Sequence, residues 1–173
     1  MKKFAALILV IFTLTAFSMC KEERDYLAIC KTQIAKYNPP RKDYVIVIDY
    51  TKSISAKRLY VIEVKTGKVV INDFVSHSLM SGILHPNDTS SVVGSNKTVT
   101  GTFLTQEKFT GELGLGMRIK GLDSFNKNTR DRNIVFHKMI YIPYSLGCFA
   151  TPDETNTKLI NLTNGGCLVV VIK

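Results

Sequence analysis

The sequence predicts a mainly β domain with one helix before it and one helix close to the C-terminus. Runs of β-branched and aromatic residues recur along the 173-residue chain, and turn-forming residues separate them. Hydrophobic residues make up 45% of the chain and charged residues 21%, so the chain can bury a packed core. Only two stretches carry helical spacing or a helix-start signal, so we expect one or two helices.

The first helix is predicted over residues 22–37. Four residues at helical spacing would form its apolar side, namely Leu27, Cys30, Ile34 and Tyr37. The sequence "NPP" at 38–40 ends this helix, because proline lacks a backbone N–H and restricts the residue before it. We therefore assign residues 19–40 to an N-terminal helix and linker, and residues 41–173 to the main domain.

The strands are predicted from short apolar runs. Residues 65–68, "KTGK", form a turn that joins the second and third runs into a hairpin. Residues 76–98 show little periodicity and predict a long loop, which in a compact domain is usually functional or mobile. The predicted strands are 44–50, 58–64, 69–75, 101–105, 115–119, 133–137 and 167–172.

The second helix is predicted within residues 151–166. Thr151 has the character of an N-cap, and Pro152 suits the first helical position. Glu154 lies three residues after Thr151, which completes a capping box. One of the two glycines at 165–166 would end the helix.

The N-terminus has the composition of a targeting segment. Lys2 and Lys3 precede a largely apolar stretch that is short for a membrane span and suits a signal peptide. The small residue Ser18 predicts cleavage after it, so that residues 1–18 are removed. The alternative is a leader of residues 1–19 with a lipid on Cys20. Both alternatives predict export to the periplasm or cell envelope. Contact with a membrane is expected only in the second alternative, through the lipid on Cys20.

The charge and the metal-ligand pattern limit the partners. A diffuse net charge of +9 suits an anionic partner such as cell envelope, an acidic peptide or nucleic acid. Nucleic acid is not expected, because there is no aromatic–basic motif and export argues against it. Residues 111–116, "GELGLG", lack the lysine of a phosphate loop. No histidine or cysteine cluster has ligand spacing, so we expect neither a metal nor a cofactor.

The four cysteines are too few to build the fold by disulfides. Cys30 falls on the predicted helix and Cys167 in a predicted strand, so both are expected in the core. A Cys30–Cys167 disulfide stays open from the sequence, because an exported protein meets an oxidising environment. The oligomeric state also stays open.

Cys148 is the candidate nucleophile. It follows Gly147 in "YSLGC" and lies shortly before the second predicted helix, whose N-terminus would favour a thiolate. A cysteine nucleophile needs a base and an oxyanion site. His137 ends a predicted strand nearby, and the backbone N–H groups of Leu146, Gly147 and Cys148 would point into one concavity. The alternative is a small core cysteine with a structural histidine, and spacing alone leaves both interpretations open.

The stretch "FHKMIYIPYSLGC" resembles the signature of the YkuD-type L,D-transpeptidases, which is a histidine, a spacer and then Ser-x-Gly-Cys. The similarity reaches the branch of murein L,D-transpeptidase catalytic domains and covers the chain from about Tyr44 to Lys173. The resemblance implies a YkuD-type β-sandwich or barrel-like catalytic domain. Further similar blocks are residues 49–70, 75–82, 94–105 and 111–137.

The resemblance also implies a reaction. Cys148 would attack the carbonyl between the third and fourth residues of a peptidoglycan stem peptide, release the terminal D-alanine and form a thioester. His137 would activate the thiol and then the incoming amine, and the backbone carbonyl of Lys138 would orient its imidazole. Ser145 would shape the turn and Gly147 would help to form the oxyanion hole. An amine acceptor gives a 3→3 crosslink in cell-wall biogenesis.

Two other functions stay open. Water as acceptor would make the protein an L,D-carboxypeptidase. A catalytically silent murein-binding module is the third interpretation, because the chain departs from the family pattern at Lys138, at Tyr144 and in the short His137-to-Cys148 spacer. His77 would contact substrate from the loop or serve a structural hydrogen bond. Arg118 would hold a stem carboxylate or simply face solvent.

Overall fold

The computed structural model describes residues 25–140 and 143–173, so the leader and Cys20 lie outside the described residues. The mainly β prediction is confirmed. Eight strands form one nearly closed sheet, and they are β1 Tyr44–Asp49, β2 Leu59–Glu63, β3 Val69–Asp73, β5 Gly101–Gly111, β6 Gly114–Gly121, β7 Val135–Lys138, β9 Phe149–Thr151 and β10 Leu168–Ile172. Their order across the sheet is β3-β2-β1-β10-β5-β6-β7-β9.

Strand β1 is buried on both faces, which explains its continuous apolar sequence. It lies between β2, which is antiparallel to it, and β10, which is parallel. Ile46 and Ile48 face the main core, whereas Val45 and Val47 face a second apolar cluster on the other side of the sheet. The two-residue alternation of a strand thus supplies side chains to two cores at once.

Helix α1, Tyr26–Tyr37, covers that second cluster. It begins later than the predicted residue 22, because the Asp25 side chain caps it by accepting a hydrogen bond from the Ala28 N–H at 2.9 Å. Asn38 ends it with a left-handed backbone before the prolines. Cys30 is fully buried against the sheet. No helix within the described residues has the length and apolar composition to cross a membrane.

The β5–β6 hairpin is longer than predicted. Its first strand continues to Gly111 rather than ending at residue 105. Apart from Phe109 the added residues carry no apolar side chain, and most of them are exposed, so they lack the apolar alternation that marked the first half. The pairing of β5 with β6 shifts register between Thr105 and Lys108, which marks a bulge or irregularity there. Beyond the shift the two strands stay paired as far as Gly111 and Gly114.

The segment predicted as a long loop contains a short strand that meets the cysteine signature. Strand β4, His77–Ser78, pairs in parallel with β8, Tyr144–Ser145, and a 3₁₀ turn over Leu79–Ser81 follows it. The Tyr144 hydroxyl also donates to the Ile83 carbonyl at 3.0 Å. The loop is therefore packed on the chain just before Cys148.

Helix α2, Asp153–Thr163, packs Leu159 and Ile160 into the main core. The predicted capping box is wrong. Thr151 lies in strand β9, Pro152 takes the N-cap position, and no side chain caps the helix. The Thr151 hydroxyl is buried without a hydrogen-bond partner. Strand pairing with β7 uses the Thr151 backbone and draws this residue out of the cap position.

Cys30 and Cys167 are both buried and both free thiols, so the disulfide that the sequence left open is not formed. Burial raises the pKa of each thiol to about 12. Cys30 belongs to the cluster under α1, whereas the Cys167 sulfur lies 3.8 Å from an Asp43 carboxylate oxygen.

Candidate active site

Strands β7 and β9 bring His137 and the cysteine turn together. The two strands are parallel neighbours, with Phe136 opposite Phe149 and His137 opposite Ala150. Both phenylalanines pack in the main core, so His137 and Ala150 lie on the opposite face of the sheet. Cys148 directly precedes β9. The register thus places the imidazole about two residues along the sheet from the thiol.

The Cys148 thiol is held by the chain at the start of β7. Its S–H donates to the Asn133 carbonyl with a sulfur–oxygen distance of 3.7 Å, and the Val135 N–H donates to the sulfur. Burial raises the pKa of the thiol, while the Val135 N–H and the Arg132 guanidinium act in the lowering direction. Burial has the largest effect, so the expected low-pKa thiolate is corrected. A thiol in this state needs a base to react.

The turn before Cys148 is closed by two serines. Ser145 Oγ donates to the Cys148 carbonyl at 2.7 Å and accepts from the Gly147 N–H at 3.2 Å. Ser76 Oγ donates to the same carbonyl at 3.1 Å. The Gly147 N–H is therefore occupied inside the turn, which corrects the expectation that it points into an oxyanion site. The Leu146 side chain is exposed at the tip of the turn.

Gly147 has a backbone that other residues rarely adopt. Its φ is +111°, and a Cβ placed on it would lie 2.7 Å from the Lys97 carbonyl oxygen and 2.9 Å from Arg132 Nη2. Both the conformation and the space require glycine here. The "GC" of the signature thus has a steric reason that is separate from its chemistry.

His137 is fixed by its own neighbour in the sequence. Its Nδ1 lies 2.8 Å from the Lys138 carbonyl oxygen. Because that oxygen can only accept, Nδ1 carries the proton and Nε2 carries the lone pair in the neutral ring. The Lys138 side chain points elsewhere, with its Nζ 3.8 Å from an Asp153 oxygen. The imidazole is therefore prepared to accept a proton at Nε2.

A cleft of about 230 Å³ opens beside this histidine. The β5–β6 hairpin forms one wall, and the chain around the start of β7 forms the other. The second wall includes Asn133 and Val135, the two residues whose backbone contacts the Cys148 thiol. Within the part of the chain that the structure describes, no hydrogen bond joins His137 to Cys148. The lining residues are Phe109, Gly111, Glu112, Leu113, Gly114, Gly116, Asn133, Val135 and His137.

His77 is a buried histidine, and its contacts fit the structural hydrogen bond, which is one of the two roles that the sequence left open. The side chain is 0% exposed. Its Nδ1 accepts from the buried Arg58 guanidinium at 2.7 Å, and its Nε2 donates to the Gly82 carbonyl at 2.8 Å. Burial lowers the pKa of His77, and the Arg58 charge adds to this. The ring also makes an edge contact with Tyr144, 5.5 Å between centroids.

Arg118 lies at the edge of the cleft and already has partners. Its Nε is 3.3 Å from a Glu107 carboxylate oxygen, and its guanidinium stacks 4.8 Å from the centre of the Phe109 ring. Nη1 donates to Asn133 Oδ1 at 3.1 Å. Arg118 thus braces the residue whose carbonyl accepts the Cys148 S–H.

Three residues at the site were missed from the sequence: Ser76, Arg132 and Asn133. Ser76 lies within the predicted loop and reaches the cysteine turn only through packing of that loop. Asn133 adopts a left-handed backbone with φ +50°, which asparagine tolerates better than most residues. The run "RDRN" directly before a strand was the only local signal for the last two.

The L,D-transpeptidase catalytic domain family matches residues 20–172 of the chain. No curated protein matches the chain.

Several solved structures align with most of this chain. An L,D-transpeptidase from Mycobacterium smegmatis is 14% identical, with a TM-score of 0.49, and the alignment covers 76% of this chain and 59% of that one. The helical cell shape determining protein Pgp2 from Campylobacter jejuni is 16% identical, with a TM-score of 0.49 and coverages of 74% and 46%. An L,D-transpeptidase from Stackebrandtia nassauensis is 15% identical, with a TM-score of 0.48 and coverages of 83% and 64%. The chain spans less than two thirds of the length of each of these proteins.

Proposed function

The chain belongs to the L,D-transpeptidase catalytic domain family, whose members act on peptidoglycan peptides, and on that premise we propose that it is an exported peptidoglycan L,D-transpeptidase with Cys148 as nucleophile. It takes a stem tetrapeptide as acyl donor, releases the terminal D-alanine and forms 3→3 crosslinks. It works in the periplasm or cell envelope. The observation that carries the proposal is the pairing of β7 with β9, which sets an oriented imidazole beside a cysteine turn.

The first half of the reaction forms the thioester. With donor bound, His137 Nε2 takes the proton from the Cys148 sulfur, and the sulfur attacks the carbonyl carbon of the bond before the terminal D-alanine. The carbonyl becomes a tetrahedral oxyanion. When it collapses, the C–N bond breaks and the leaving amine receives the proton from His137. The Lys138 carbonyl supports the imidazolium that exists between these steps, because it accepts from Nδ1–H.

The second half transfers the acyl group. The amine of an acceptor stem attacks the thioester carbonyl, His137 removes its proton, and the Cys148 sulfur leaves and is reprotonated. Water in place of the amine would give the free tripeptide and make the protein a carboxypeptidase. The raised pKa of the Cys148 thiol fits this scheme, since the proton moves to histidine during the attack rather than before substrate binds.

The proposal is tested by mass spectrometry of the protein incubated with disaccharide-tetrapeptide fragments. We expect a crosslinked dimer that lacks one D-alanine with the wild-type protein, and no product with Cys148→Ala. Cys30→Ala is the matched control, because it removes a thiol on the buried face of α1, far along the chain from the turn. It should keep the activity.

Other products would revise the proposal. Tripeptide without dimer would identify a carboxypeptidase. Unchanged fragments with both proteins, together with retention of murein sacculi by Cys148→Ala, would identify a silent binding module. Equal activity in wild type and Cys148→Ala would exclude the thiol as nucleophile.

A further inference from the structure

Arg132 is a half-buried cation that stands just before β7. Its Nη1 donates to the Ser90 carbonyl at 2.5 Å, and its Nη2 donates to the Lys97 carbonyl at 2.6 Å. Among residues 25–140 and 143–173, no carboxylate forms an ion pair with it. Burial lowers the pKa of this guanidinium, which means that the fold spends free energy to keep it charged there. Two carbonyl oxygens solvate this partly buried charge, but no carboxylate among the described residues neutralises it, so the charge is available to stabilise a neighbouring anion.

The Arg132 guanidinium points at the nucleophile turn. Its Nη2 would lie 2.9 Å from a Cβ on Gly147, and the Lys97 oxygen that it binds would lie 2.7 Å from the same position. Arg132, the 90–97 segment and the residue before Cys148 therefore meet at one point. The Arg132 charge and the Cys148 thiol act on each other, each shifting the other's pKa toward its charged form.

We propose that Arg132 is the positioning residue that holds the 90–97 segment against the Gly147–Cys148 turn and supplies the positive charge that stabilises the Cys148 thiolate as it forms. The proposal rests on Cys148 being the nucleophile. The two carbonyl bonds fix the guanidinium, so its charge stays at one distance from the sulfur.

The other titratable groups near the thiol do not fill this role. His137, two residues beyond Val135 on β7, gains its positive charge only by taking the Cys148 proton, so it is not a cation already in place before the thiolate forms. The Tyr50 hydroxyl donates to the Ser76 carbonyl, and burial, with a smaller effect of Cys148, raises its pKa, so it stays uncharged. Lys97 turns its ammonium to Asp88, with which it forms an ion pair.

The test measures alkylation of Cys148 by iodoacetamide across pH, followed by peptide mass spectrometry and without any peptidoglycan substrate. Arg132→Gln keeps a donor for one carbonyl but removes the charge. We expect its alkylation curve to move to higher pH, with labelling at neutral pH slower by about tenfold. Arg132→Lys keeps a charge and should stay close to the wild-type curve. Arg130→Gln is the matched control, because Arg130 is exposed and binds Gln106 and Glu107 instead.

Folding of each variant is verified by thermal denaturation. A folded Arg132→Gln whose curve superimposes on wild type would overturn the proposal. If Arg132→Gln does not fold, Arg132→Lys provides the test. An alkylation curve of Arg132→Lys that is displaced to higher pH, although the charge is retained, would also overturn the proposal. Because no substrate is present, these results are independent of whether the protein proves to be a transpeptidase. A wild-type protein that alkylates as proposed but makes no crosslinks would refute only the proposed function.

Discussion

Gly147→Ala should destabilise the protein strongly, because it combines two costs. A φ of +111° is outside the regions that alanine adopts easily, which costs about 1–3 kcal/mol. The new methyl group would lie 2.7 Å from the Lys97 carbonyl oxygen, so that oxygen must move away from Arg132 Nη2. Loss of a hydrogen bond to a charged group costs about 1.5–3 kcal/mol. We expect a total loss of about 3–5 kcal/mol in the free energy of unfolding.

Gly165→Ala is the matched control for this prediction. Gly165 also has a positive φ, +78°, but a Cβ there meets nothing within 4 Å. Its substitution should cost only the backbone strain, about 1–2 kcal/mol. The difference between the two variants therefore reports the steric contact at the cysteine turn together with the larger backbone strain at φ +111°.

The assay is urea denaturation followed by circular dichroism, with a thermal melt as the second readout. Gly147→Ala should lower Tm by about 10 °C or more, and Gly165→Ala by a few degrees. Equal losses in the two variants would refute the steric argument. They would show that the Lys97 carbonyl and the Arg132 guanidinium move aside without cost.

Three further predictions follow from buried groups. Arg58→Met should lower the free energy of unfolding by about 2–4 kcal/mol, measured in urea, because it leaves the Val75 carbonyl and His77 Nδ1 without their donor; an unchanged midpoint would contradict this. Burial lowers the pKa of His77 in the folded state, so below about pH 6.5 the unfolded chain binds more protons than the folded protein, and the free energy of unfolding should fall as the pH drops. His77→Gln should make the free energy of unfolding depend less steeply on pH in this range. An unchanged dependence would assign it to other groups. Among the described cysteines only Cys148 should react with Ellman's reagent in the native protein, whereas Cys30 and Cys167 should react after unfolding in urea, as followed by peptide mass spectrometry; rapid native labelling of either buried thiol would show that its cluster opens.

Local sequence patterns were sufficient for most of the regular elements. Alternating and continuous apolar runs predicted the strands, because a strand buried on one or both faces must carry them. Proline after Asn38 marked the end of α1 for a steric reason that holds in any fold. The order of histidine, serine, glycine and cysteine pointed to the family. The family match covers residues 20–172 and so begins earlier in the chain than the resemblance read from the sequence.

The patterns failed where a local preference competed with a distant partner. Thr151 has the chemistry of an N-cap, but its backbone pairs with β7 and the helix begins without it. The second half of β5 has a single apolar side chain, Phe109, and so carries no apolar alternation. It is a strand because β6 supplies its hydrogen bonds. His77 lies in a segment whose composition predicts a loop, yet its side chain is buried in contact with Arg58 and Tyr144.

The sequence by itself determined which residue types this protein brings to its site, because a cysteine after glycine and a histidine at the end of a predicted strand can both be recognised without a structure. The tertiary structure decided their state. The register of β7 on β9 sets the imidazole beside the turn, burial raises the pKa of the thiol, and the 90–97 segment brings Lys97 to Arg132 beside Gly147. These depend on contacts between residues far apart in the chain, which no local periodicity encodes. The chemistry of Cys148 is therefore set by its neighbours in space.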